Sequence, residues 1–370
     1  MVPAHRKHEP GKPERKREMG QNLLLVGSVP LSSNEEVFRV FGGALAKHLP
    51  AIPDGETGER RSWVNRLCYQ IFSGHGDLEV MRRPQPVDGV EQLLPRTRDD
   101  AWNFRVKPGV ERVRFGNPGM RLGYAREAAN SYFVFRTLRE KGVLPAGLRF
   151  QIAIPMVNSV VRPLYFPVPG DLEKVRPGYE EALEAEIAAI LARIPNEDIA
   201  IQWDCAWEVS AVYGTARDNA AEAEIATHTG VIERLSKNIP DSVQLGFHFC
   251  FGTFGGWPAF APASLDRAVA LVNASVKATR RRVDWVHVPT LDTVDEKFYA
   301  PLRDLDVDGA RVYLGAVHNM ATLKDRIAVA RKFLPDFGLA AYCGFGRTPP
   351  ETMPLVLKDH LKALDVAGLG

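Results

Sequence analysis

No stretch of this chain is apolar for the roughly 20 residues that a bilayer-spanning helix needs, so a membrane role is not expected. The N-terminus carries no apolar core of the kind that exports a protein, and the expected compartment is the cytoplasm. Cysteine is scarce: Cys68, Cys205, Cys250 and Cys343 make up the whole complement. In an intracellular chain, so few are thiols or metal ligands rather than a disulfide framework. A large excess of one charge is also missing. The formal net charge is +2, and residues 1–20 alone carry +3, which leaves the remainder near −1. That short basic segment, with prolines and no apolar periodicity, reads as a disordered tail. The rest shows no basic stripe, so no nucleic-acid partner is expected. No repeat at a solenoid period is visible.

What the chain does have is a rhythm. From about residue 21 to 370, short β-rich apolar runs alternate with longer amphipathic segments. The runs fall at 22–30, 51–55, 148–155, 199–207, 243–252, 283–289, 311–317 and 339–346. Helical spacing of apolar residues, at threes and fours, fills 179–194, 220–238, 264–279 and 322–333. Eight strands alternating with helices predict an α/β fold, a single (β/α)8 TIM barrel. One connection is too long for the pattern. Residues 59–147 hold a helical stretch at 122–141, Trp63, Trp102 and many arginines, and read as an insertion folded over the barrel mouth.

In such a barrel the reactive groups come from the carboxyl ends of the strands. Ser28 ends the first predicted strand, and Asp54 and Glu56 the second. Asp204, Cys205 and Glu208 end the fourth, His248 and Cys250 the fifth, His287 the sixth and Cys343 the eighth. Side chains alternate along a strand, so His248 and Cys250 share a face. With Cys343 they supply three of the four ligands of a tetrahedral zinc, leaving the fourth place for water or substrate. Taken singly, a buried Cys is a small hydrophobe and a buried His a hydrogen-bonded core residue. Cys68 beside Tyr69 reads as packing, and Glu180, Glu181, Glu184 and Glu186 as a solvated helix face.

On these residues the chain resembles the catalytic C-terminal barrel of cobalamin-independent methionine synthase. That family lies within the superfamily that also holds uroporphyrinogen decarboxylase and the corrinoid or thiol methyltransferases. Leu25-Val26-Gly27-Ser28 resembles the opening strand whose Gly-Ser helps hold the amino-acid thiol. Asp54-Gly55-Glu56, followed by Glu59-Arg60, resembles the His-Gly-Glu segment and its arginine, which implies that Glu56 grips a substrate ammonium. Ile201-Gln202-Trp203-Asp204 resembles the Gln-x-Asp-Glu-Pro segment and gives Asp204 a substrate-orienting role. In that segment Cys205 and Ala206 stand where the family has Glu and Pro. His248-Phe249-Cys250 resembles the His-x-Cys zinc pair, and Cys343-Gly344 the distal ligand. The family's fourth ligand, a Glu ending the sixth strand, falls on Pro289. His287, two residues earlier on the same face, is the candidate to reach the metal instead.

The resemblance implies a zinc-dependent methyl (alkyl) transferase that activates a small thiol as a zinc-bound thiolate. Ser28, Asp54, Glu56, Asp204 and Glu208 would bind the substrate, with Asp204, Glu56 and His248 serving the reaction. The methyl donor is a folate, a corrinoid or another small molecule, and a corrinoid protein is a candidate partner. Two other readings stand beside it. One is a metal-free enzyme of the same barrel superfamily, using carboxylates and His248 on a carboxylate or aromatic substrate. The other is a non-catalytic barrel that binds a small molecule or a corrinoid protein.

Overall fold

The structure, a computed structural model, describes residues 20–116, 121–214 and 218–370. The basic tail expected over residues 1–20 lies, but for Gly20, outside the described residues.

The strands are β1 Leu23–Leu24, β2 Ala51–Pro53, β3 Leu78–Arg82, β4 Asn103–Val106 and β5 Arg149–Pro155. They continue with β6 Ile199–Cys205, β7 Gln244–Phe249, β8 Trp285–Pro289, β9 Arg311–Val317 and β10 Gly338–Ala341. Eight of them form one sheet in the order β1-β10-β9-β8-β7-β6-β5-β2, parallel throughout. Each of the eight predicted runs contains or overlaps one of these strands. Parallel strands are covered on both faces, which is why they read as continuous apolar runs rather than alternating ones. β6 is buried at every position.

The two end strands, β1 and β2, close the sheet into a barrel without a ladder between them. The seam is crossed beyond the strands, where Val29 N–H donates to the Gly55 carbonyl at 2.8 Å. The outer layer includes helices Tyr124–Glu140, Asp171–Leu191, Asp218–Ser236, Asp266–Thr279, Leu323–Arg331 and Met353–Ala367. Inside, Leu24, Val26, Ala51, Ala200, Trp285, Tyr313 and Ala340 form a packed layer. Two large rings fit because their neighbours are small. A Cβ on Gly246 would come within 2.0 Å of the Trp285 indole, so β7 has room for that ring only as glycine.

The long connection differs from the expectation in two ways. It contains a two-stranded antiparallel hairpin, β3 with β4, that the sequence reading did not separate from loop. Its last helix, Tyr124–Glu140, is the barrel's own, with Phe135 packed edge-on to Phe38 and tilted against Phe150 of β5. The hairpin docks on the loop after β5, where Phe104 N–H donates to Tyr165 O at 2.8 Å, and on the start of helix Asp171–Leu191, where Val106 N–H donates to Asp171 Oδ2 at 2.8 Å. Glu186 is not on a solvated face as expected. It is buried, and its carboxylate accepts from Gly123 N–H at 2.8 Å and Ala125 N–H at 2.6 Å, capping the start of helix Tyr124–Glu140.

Candidate metal centre

Two strand ends build the centre. β7 carries His248 on its inner face and delivers Cys250 one residue past its end; β10 gives way to the loop holding Cys343. The ligating atoms of His248, Cys250 and Cys343 all lie within 4.8 Å of one another. A zinc with bonds of about 2.0–2.3 Å in tetrahedral geometry needs donor atoms on the order of 3.5–3.8 Å apart, so the trio fits with small side-chain adjustments. His248 and Cys250 are buried; Cys343 is half-buried.

The thiols are not equivalent. The neighbouring Cys250 thiol above all, with the His248 ring, holds the Cys343 thiol well below the usual cysteine range against the cost of burial. Cys343, together with burial, pushes the Cys250 thiol well up in turn, and Cys250 Sγ lies 3.9 Å from the Tyr342 carbonyl it can donate to. Its sulfur accepts from Gly252 N–H at 3.2 Å. Burial works to lower the pKa of His248, yet the Cys343 thiolate beside it raises it on balance. The donor set, one imidazole nitrogen and two sulfurs in a largely enclosed site, is the chemistry that a divalent zinc ion matches.

His287, the candidate fourth ligand, does not join this group. It is fully buried behind His248 and its nitrogens are taken. Nε2 is 3.0 Å from Ala341 O, while Nδ1 is 3.0 Å from Phe249 O and 2.9 Å from His248 Nδ1. Burial, with the neighbouring His248, holds it well below the usual histidine range.

The carboxylates divide into two kinds. Asp54 is committed: Oδ1 accepts from Glu56 N–H at 2.9 Å, and Oδ2 takes the Ser131 hydroxyl at 2.6 Å and the Arg60 guanidinium at 2.8 Å. Glu208 is committed too. Its oxygens accept from Ser159 N–H at 2.9 Å and Ser159 Oγ–H at 2.6 Å, joining the loops that follow β5 and β6. Burial still pushes its carboxyl up to about 7. Glu56 is different. It is buried, its backbone sits at φ +47°, and its Oε2 has no hydrogen-bond partner. Burial and the charge of Asp204 push its pKa well up. A non-glycine residue held in the left-handed region with an unpaired buried oxygen is a strained arrangement of the kind found at ligand sites.

Asp204 is buried next to His248 in the β6–β7 register, and burial raises it to about 6 against the opposing influence of His248. It is held from below. Gln151 Nε2 donates to Gln202 Oε1 at 3.1 Å, and Gln202 Nε2 donates to Asp204 Oδ1 at 2.8 Å. From the insertion, Trp63 also helps hold the Asp204 carboxyl down against the effect of burial. Sequence reasoning missed this polar column. Its signal was available: Gln151 and Gln202 are amides in otherwise apolar strands, on the inward parity. Ser28 sits on the seam, its Oγ 3.4 Å from Arg61 O and close against Gly346.

Cys205 points the other way. Asp204 faces inward, so the next residue faces the helices, and Cys205 Sγ lies 3.8 Å from His228 of helix Asp218–Ser236. The residue that departs from the family pattern therefore does not border the carboxylates from the barrel side. A cavity of about 680 Å³, lined by Arg234 and Arg280 among others, opens at the amino-terminal ends of β7 and β8, away from this centre.

A (β/α)8 barrel with an imidazole and two thiols at its mouth is the class that fold and site define. Neither a family model nor a curated protein sequence matches the chain. Among solved structures it is similar to a B12-independent methionine synthase from Shewanella sp. W3-18-1 in complex with selenomethionine. That match has a TM-score of 0.58 and 14% identity, covering 94% of this chain and 96% of the other. It is also similar to a candidate vitamin-B12-independent methionine synthase from Listeria monocytogenes, with TM-score 0.52, 18% identity, and coverage of 90% and 86%. The resemblance read from short motifs is thus matched over nearly the whole chain at the level of fold. Among the described residues no helix is long and apolar enough to cross a membrane.

Proposed function

We propose that the chain is a methyl- or alkyl-transfer enzyme that acts on a small thiol carrying an amino group, with zinc held by His248, Cys250 and Cys343. The observation that carries this reading is the convergence of those three ligating atoms within 4.8 Å at the carboxyl end of the barrel. The fold likeness to methionine synthase structures, one of them holding selenomethionine, supports it.

A zinc ion there would make a thiol acidic enough to react as a thiolate near neutral pH. The remaining work falls to the chain. Glu56 offers a buried carboxylate with an unused oxygen, and Asp204 a second whose charge repels it. An ammonium between them relieves that repulsion, so the pair selects a cationic amino group. Gln202 fixes the direction of Asp204, and Arg60 keeps Asp54 from competing for the same cation. Positioning of this kind converts a bimolecular encounter into an oriented one, which is the larger part of what such a site contributes. The donor is a folate, a methylated corrinoid, free or carried on a partner protein, or another small alkyl donor.

The test is product formation. Zinc-loaded protein is incubated with a panel of amino thiols and methyl donors, and S-methyl product is read by mass spectrometry. The reading expects product that is lost in Cys250→Ser. Turnover unaffected by that substitution and by chelation contradicts it.

A further inference from the structure

The two histidines that face each other across β7 and β8 pose a proton-placement problem, and its solution assigns a role to His287. His248 and His287 are register partners, with ring centroids 4.5 Å apart and Nδ1 atoms 2.9 Å apart. Two nitrogens at that distance need one proton between them. A neutral imidazole has one N–H and one lone pair, and a carbonyl oxygen can only accept.

Consider first a proton on His287 Nδ1. It would be shared between Phe249 O at 3.0 Å and the His248 nitrogen, and Nε2 would then set its lone pair against Ala341 O at 3.0 Å. Now place the proton on Nε2. It donates to Ala341 O, the Nδ1 lone pair of His287 accepts from His248 Nδ1–H, and both short contacts become hydrogen bonds. Only the Phe249 O contact is left unbonded. Unsatisfied buried polar contacts are costly, so the arrangement with two complete bonds is favoured. The space for it is built in, because a Cβ on Gly315 would come within 2.8 Å of His287 Nε2.

We infer that His287 is a positioning residue that keeps the proton of His248 on Nδ1, so that Nε2 is the atom His248 presents to Cys250, Cys343 and any metal. The anchor of this relay is Ala341 O, two residues before Cys343. One strand end therefore supplies a ligand directly and orients another through His287. An outer partner of this type both fixes the ring and makes the ligating nitrogen more basic. The metal part of the inference rests on the zinc reading; the proton placement does not.

Long-range 1H–15N correlation spectra of protein labelled at histidine nitrogen test it, recorded metal-free and with zinc. The expected spectra show His248 protonated at Nδ1 in both states, with its Nε2 resonance moving on zinc addition, and His287 protonated at Nε2 alone. Zinc competition against a chromophoric chelator is measured alongside. His287→Phe keeps the ring and removes the acceptor, and should weaken zinc binding by about 10–100-fold. His287→Asn restores an acceptor near the Nδ1 position and should recover most of that loss. Zinc on His248 Nδ1, protons on both nitrogens of His287, or a folded His287→Phe variant with unaltered affinity would overturn the inference. If His287→Phe does not fold, the wild-type spectra decide alone. Protein that takes no zinc but shows Nδ1–H on His248 supports the proton placement and defeats the zinc reading.

Discussion

Arg60 places its guanidinium 2.8 Å from Asp54 Oδ2, while Glu56, two residues on, holds its Oε2 buried without a hydrogen-bond partner. The ion pair joins a buried Asp54 to a half-buried Arg60. It locks the loop after β2 in the shape that forces Glu56 to φ +47°. Two acidic residues two positions apart thus differ: Asp54 is paired within the loop, while Glu56 keeps a buried oxygen free.

Glu56→Gln should leave the fold intact and raise KM for the amino thiol by about tenfold to a hundredfold, the loss of one charge-assisted hydrogen bond of ~1.5–3 kcal/mol. Asp54→Asn should do more damage, because it releases Arg60 onto Glu56 and loosens the loop as well. Steady-state kinetics together with thermal melting separate the two. Equal effects on KM, with equal melting temperatures, would contradict the division.

Trp63→Phe removes the indole that helps hold the Asp204 carboxyl down while keeping an aromatic ring at that position. The expected result is a lower kcat with zinc content unchanged, since Asp204 loses that support and the metal ligands lose nothing. Zinc assay beside kcat checks it; loss of zinc in this variant would mean that the insertion supports the metal site instead.

Much of this was legible beforehand. The eight barrel strands are apolar runs long enough to be read directly, and the trio follows from alternation within one strand plus strand order. Hairpin β3–β4 was not, because Leu78–Arg82 is a short half-buried strand whose alternation is easily lost among charged residues. Asp54, Glu208 and Glu186 read as free carboxylates because their partners Ser131, Ser159 and Ala125 are distant in sequence. Only the fold brings these together. The orientation of Cys205, by contrast, was available from parity once Asp204 was placed inward.

Away from the site, Asp198 accepts two hydrogen bonds from Arg139, at 2.7 and 2.6 Å, and one from Tyr132 at 2.5 Å. The Arg139 bonds hold its carboxyl below the usual range. A depressed carboxyl stabilises the fold above its unfolded pKa of about 3.9 and loses that contribution as pH falls through the folded value. Asp198→Asn should therefore cost ~1–3 kcal/mol at neutral pH. The gap from wild type should close as acid is added below about pH 4. Urea melts at a series of pH values test this, and a gap that persists in acid would contradict it.

Gly246→Ala should destabilise the barrel by ~1–3 kcal/mol or more, since a Cβ would sit 2.0 Å from the Trp285 indole, a ring enclosed by its own layer. Trp285→Phe in the same chain should recover part of the loss. Additive losses in the double variant would show that the two residues do not share that space.

The central claim is that one metal sits between His248, Cys250 and Cys343. Plasma-emission zinc analysis of protein purified without chelator tests it most directly. The account predicts about one zinc per chain in the wild type and in Cys68→Ser and Cys205→Ser, with loss in Cys250→Ser and Cys343→Ser. Less than about a third of a zinc per chain, unaltered by Cys250→Ser or Cys343→Ser, would contradict it.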